Sequence, residues 1–150
     1  MRLVNVAAPI GMVMALGCSN TPTRDAKPLT PRPRRDGEVL DVSNMMATVR
    51  NATSARPNCP VNPHVEASLV VQGISGTIQY HWERSDSTSG PLRQLVVDSA
   101  AAAKMQHLAL TPDDWTDTKS GVQLRLQETV HVTYPFDFRS PSININATCY

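Results

Sequence analysis

Residues 76–84, GTIQYHWER, alternate without a break, with Ile78, Tyr80 and Trp82 on one side and Gln79, His81 and Glu83 on the other. A period of two requires an extended backbone, because in a helix these side chains would be scattered around the axis. The segment predicts a half-buried strand with Tyr80 and Trp82 in the core. Similar signals recur along the chain from Glu38 onward. A first run covers about Val39 to Val49. In HVEASLVVQGI, Val65, Ala67, Leu69 and Val71 share one face, and His64, Glu66 and Ser68 point away. Further runs follow in PLRQLVVD, in roughly Ala102 to Leu110, and in GVQLRLQ, where Val122, Leu124 and Leu126 alternate with Gln123, Arg125 and Gln127. The last run, SININATC, alternates Ile143, Ile145 and Ala147.

Seven short runs in residues 38–150, separated by turn-forming segments such as SDSTSG, predict an all-β domain. The expected architecture is an immunoglobulin-like sandwich of two antiparallel sheets with about seven strands. Trp82 lies on the third strand, where such a core holds its large aromatic. Twelve prolines against seven glycines, with 5% aromatic residues, agree with strands and turns. Ala100 to Ala103 has helix propensity, but it is too short to alter the class. Gly73-Ile74-Ser75-Gly76 reads as a hairpin turn.

The first 17 residues, MRLVNVAAPIGMVMALG, place Arg2 before a mostly apolar run from Leu3 to Leu16. That is the layout of a secretory signal. The run is shorter than the roughly 20 residues that a spanning helix needs. Ala15-Leu16-Gly17-Cys18-Ser19 resembles the lipobox of bacterial lipoproteins, in which small residues precede a cysteine that is acylated and becomes the new N-terminus. Leu16 and Ala15 stand in reversed order from the commonest form of that motif. The alternative is an ordinary signal cleaved near Ala15 or Gly17, leaving Cys18 free.

Residues 18–37 follow as a tether in which Pro22, Pro28, Pro31 and Pro33 favour extended conformations and Leu29 is the only large aliphatic side chain. Arg24, Lys27, Arg32, Arg34 and Arg35 make it basic. It is expected to be a disordered, solvated spacer, with contact to anionic headgroups as the alternative. The organisation is therefore signal peptide 1–17, lipidated Cys18 and tether 18–37, and sandwich 38–150.

Cys59-Pro60, GISGTIQYHWERSDSTSGP, the Val-rich strand after it, the segment around Trp115 and the terminal strand ending in Cys149 are similar to an Ig-like domain of secreted proteins and lipoproteins of actinobacteria. The resemblance spans about residues 45–149, and the third-strand motif is its most specific part. It implies a disulfide between Cys59 and Cys149. Such a bond would close a loop of about 90 residues, for which chain entropy allows on the order of 4 kcal/mol. Lipid on Cys18 would leave only these two cysteines, and the compartment beyond the membrane is oxidising. The segment ETVHVTYPFDFRSP departs from the family as a long connection before the last strand, so pairing near Val130 stays open.

No nucleotide-binding, serine-hydrolase, zinc-protease or EF-hand motif occurs, and no cofactor is expected. Asp113, Asp114 and Asp117 beside Trp115 read as a Thr-Pro-Asp-Asp turn, with weak cation binding as the alternative. His81 and Glu83, with Arg125 and, if its strand continues, His131, are expected on the outward faces of neighbouring strands and form a candidate contact surface. The loops 85–91 and 113–120 are further candidates. A surface zinc at His81 and His131 depends on a register that the sequence does not give, so no metal is assigned. Asn51-Ala52-Thr53 and Asn146-Ala147-Thr148 match the N-glycosylation pattern, read as accidental in a bacterial lipoprotein.

The whole chain has a formal charge of +1, while residues 38–150 hold eight Lys+Arg and eleven Asp+Glu. A domain at about minus three disfavours nucleic acid. The expected function is a non-enzymatic, lipid-anchored surface protein presenting a binding or spacer domain to a protein or cell-wall partner. An inhibitory or defence lipoprotein blocking a hydrolase or phage entry is the alternative, and an enzyme is a distant third. The expected location is the outer side of the cell membrane, extracellular or periplasmic.

Overall fold

The computed structural model describes residues 27–50, 62–116 and 123–148. Cys18, Cys59 and Cys149 lie outside the described residues, as do the signal segment and Asn51 to Thr53. The described residues form nine strands and no helix: β1 (Val39–Arg50), β2 (Asn62–Gln72), β3 (Gly76–Arg84), β4 (Arg93–Val97), β5 (Gln106–Ala109), β6 (Asp113–Asp114), β7 (Gln123–Tyr134), β8 (Phe138–Arg139) and β9 (Ile143–Thr148). All pairings are antiparallel. One sheet runs β1-β2-β5, with β6 also on β2; the other runs β4-β3-β7, with β8 and β9 on successive stretches of β7. This is the expected all-β sandwich.

The inward positions read from the alternation make the core. Val65, Ala67, Leu69 and Val71 from β2 meet Ile78, Tyr80 and Trp82 from β3 and Leu126, Val130 and Val132 from β7. Tyr80 and Trp82 are both 0% exposed. Each uses its polar atom to hold the link between β5 and β6, two strands that both pair with β2: Trp82 Nε1 donates to Thr111 O at 3.1 Å, and Tyr80 Oη accepts from Thr111 N at 3.0 Å. Large aromatics are tolerated at the centre because their polar ends find partners there.

The segment 73–75 is not a hairpin turn, since β2 and β3 belong to different sheets. It is an arch with Ile74 buried in the core. Gly73 adopts φ +73°, and a Cβ there would lie 2.6 Å from Gly37 O, so only glycine allows the two backbones to approach. Ala100 to Ala103 form turns closed by bonds such as Ala102 N to Ser99 O at 3.3 Å.

The segment expected as a connection at 128–141 is also different. β7 continues to Tyr134, with a register shift opposite Gln79/Tyr80, and β8 folds back onto His131 and Val132. The stretch Glu128 to Val132 keeps the period of two, and this places Glu128 inward.

Residues 27–37 are not a free spacer. Gln79 lies at an outward position of β3 but is fully buried, because its side chain accepts from Leu29 N at 2.7 Å and donates to Lys27 O at 2.5 Å. Arg32 N donates to Pro135 O at 2.8 Å, Arg32 pairs with Glu38, and the Arg34 guanidinium stands 5.4 Å from the Phe136 ring centroid. The described end of the tether is therefore a strap on the second sheet. Among the described residues no helix is long and apolar enough to cross a membrane.

Candidate functional site

The outer face of the second sheet brings three of the four proposed contact residues together. His81 on β3 and His131 on β7 are direct partners in the register. Neighbouring strands place opposed side chains within contact range. Their ring centroids are 4.8 Å apart at 63°. Glu83, two residues beyond His81 on the same face, puts Oε1 2.7 Å from His131 Nδ1 and 3.5 Å from His81 Nε2. Arg125 is not part of this group: it pairs with Asn146, six residues back along β7 and so about 20 Å away. It lines a separate shallow groove with Ser85, Gln127, Asn144 and Asn146.

Two residues absent from the sequence expectation complete the cluster. Asp137 Oδ1 lies 3.1 Å from His131 Nε2, and Arg139 donates to Glu83 through Nε at 3.1 Å and Nη2 at 3.3 Å. Both come from the turn and strand after β7. Their involvement depends on the chain folding back there, which the sequence did not signal. The Arg139 hydrogen bonds hold the Glu83 carboxyl below its usual range. Burial, and then the neighbouring His131, lower the His81 pKa and favour its neutral, ligand-competent form.

A second cluster lies inside the sandwich. Arg84 donates to both oxygens of Asp113, at 2.8 and 3.0 Å, and stands 5.4 Å from the Trp115 ring centroid. Trp115 Nε1 donates to Glu128 Oε2 at 3.2 Å, and Glu128 Oε1 has no partner among the described residues. Burial, together with the Asp113 carboxylate, pushes the Glu128 pKa up to about 9. The expected exposed acidic turn at 113–115 is thus corrected. Asp113 and Trp115 are buried, Asp113 serves Arg84, and β6 pairs with His64 and Val65. Asp117 lies outside the described residues. Extending the alternation of β7 by one step would have placed Glu128 inward.

His64, expected to point to solvent, is buried between two carboxylates, Asp114 Oδ1 at 2.7 Å and Glu66 Oε1 at 2.9 Å. These lie on opposite ring nitrogens and do not converge on a point. Only at His81, Glu83 and His131, among the described residues, do three potential metal-ligating atoms gather, all within 4.8 Å of one another.

Fold and site together define an antiparallel β-sandwich with a polar cluster on one outer face. No protein-family model, curated protein or solved structure matches the chain.

Proposed function

We propose that this chain is an exported lipoprotein, anchored through Cys18, whose sandwich is a non-enzymatic binding module presenting the β3–β7 face to a partner outside the cell membrane. The observation that carries this reading is the convergence of His81, Glu83, His131, Asp137 and Arg139 on one outer sheet face. The strap leading back toward Cys18 is fastened beside that face, at Gln79 and Pro135. The attachment sets where the chain that leads toward Cys18 leaves the domain. Polar groups on an open face suit recognition, whereas catalysis usually needs an enclosed cleft.

The test places a photo-crosslinking residue at Thr129 or Ser142, which flank the cluster, and a control residue at Met46 on the other sheet, in cells carrying the full chain. A partner captured from the first positions and not from Met46 supports the reading. Equal capture from both sheets, or none, contradicts it.

A further inference from the structure

His131 stands between two carboxylates, with Asp137 on Nε2 and Glu83 on Nδ1. A neutral imidazole carries one N–H, so it donates to only one of them. If Nε2–H is given to Asp137, the Nδ1 lone pair faces Glu83 Oε1 at 2.7 Å. Two lone pairs at that distance repel unless a proton or a metal cation lies between them. His81 Nε2 faces the same Glu83 oxygen from 3.5 Å. Three ligand atoms therefore surround one position.

From this convergence we infer that His81 Nε2, His131 Nδ1 and Glu83 Oε1 form a binding site for a divalent transition metal of the zinc class, a role beyond the anchor and module reading. Two imidazoles and one carboxylate, with a fourth position open to solvent, are a known zinc ligand set. Zinc–ligand bonds of about 2.0–2.2 Å put tetrahedral ligands roughly 3.3–3.5 Å apart. The existing atoms lie within 4.8 Å of one another, so closure needs a movement of about 1 Å. His81 and Glu83 have side chains 19% and 32% exposed and have room to make it. Asp137 is already in the supporting position. A metal-bound histidine normally gives its other N–H to a carboxylate, which fixes the tautomer and raises the ligand's basicity.

Arg139 is the opposing element. Its guanidinium holds Glu83 and would repel an incoming cation. At 53% exposure it is free to retain Oε2 alone or to swing away. The site is therefore of moderate affinity, and Arg139 weakens it. The His64 site is the internal contrast: it too has a carboxylate on each ring nitrogen, but among the described residues no group of three ligand atoms forms there.

Titration of the full chain with zinc chloride, followed by calorimetry and repeated with cobalt(II) for its absorption spectrum, tests the inference. The expected result is one zinc per chain and a cobalt spectrum with nitrogen and oxygen ligands. His81→Gln should weaken binding at least tenfold, and Asp137→Asn about tenfold. His64→Gln should leave binding unchanged, and Arg139→Gln should strengthen it several-fold. His81 and Arg139 are partly exposed, so these variants keep the test valid if His131→Gln does not fold. Three results would overturn the inference: no saturable binding up to about 1 mM zinc, binding that survives His81→Gln undiminished, or a thiolate-type cobalt spectrum.

Discussion

Trp115 Nε1 donates to Glu128 Oε2 at 3.2 Å inside the sandwich, so a carboxyl with 0% exposure on β7 is tied to the segment that directly follows β6 on the other sheet. Burial and the Asp113 carboxylate keep this group protonated, with a pKa near 9 against an ordinary 4.5. Between those values the unfolded chain has lost a proton that the native chain keeps. Stability from Glu128 is therefore complete below about pH 4.5 and declines as pH rises toward 9, by at most about 1.4 kcal/mol per pH unit. Glu38 and Glu83 act in the opposite direction. Their native pKa values are depressed, so their contribution is present above the ordinary carboxylate range and is lost as pH falls. Thermal unfolding measured across pH should show greatest stability at about pH 5–6. Glu128→Gln should flatten the alkaline decline, and an unchanged decline would contradict the assignment.

Asp113 balances Arg84 in the interior. Removing one member of a buried pair leaves an uncompensated charge, at a cost of about 3–5 kcal/mol. Asp113→Ala should lower the denaturant midpoint accordingly. The double variant Arg84→Met, Asp113→Leu should recover much of the loss, because it leaves no buried charge unpaired. Equal losses in the single and double variants would show that the pair's packing matters more than its charge balance.

Gly73 faces the backbone of Gly37 at the base of the strap. Gly73→Ala combines an unfavourable positive φ with a collision against Gly37 O, for an expected loss of about 1–3 kcal/mol. Gly76 also has positive φ but meets nothing within 4 Å. Gly76→Ala should therefore be the milder change in the same unfolding assay.

Gln79 holds the strap through Leu29 N and Lys27 O. Each bond contributes about 0.5–1.5 kcal/mol, so Gln79→Ala should accelerate amide exchange at Leu29 by roughly tenfold. Exchange at the β3 and β7 backbone should be unchanged. Acceleration throughout the sheet would mean that the strap is part of the cooperative fold.

The layers of this sandwich were legible because its central strands alternate strictly. Ile78, Tyr80, Trp82 and the β2 series Val65, Ala67, Leu69 and Val71 all occupy the core positions that a period of two assigns. The sequence was less informative wherever a position depends on what covers it. Gln79 follows the outward pattern and is buried only because the strap crosses it. Glu128 follows the inward pattern, but its charge argues against that placement until Arg84, Asp113 and Trp115 are known to surround it. The nearness of His81 and His131 depends on register, which a one-residue slip would destroy. Asp137 and Arg139 join them because β8 folds back onto β7.

The central claim, an exported lipid-anchored module, is tested most directly by mass spectrometry of the N-terminal peptide of the protein extracted from membranes. Cys18 is predicted to be the first residue and to carry acyl chains, and Cys18→Ala should abolish the modification and release the protein from the membrane fraction. An N-terminus at any other residue, or an unmodified Cys18 in membrane-extracted protein, would contradict the account.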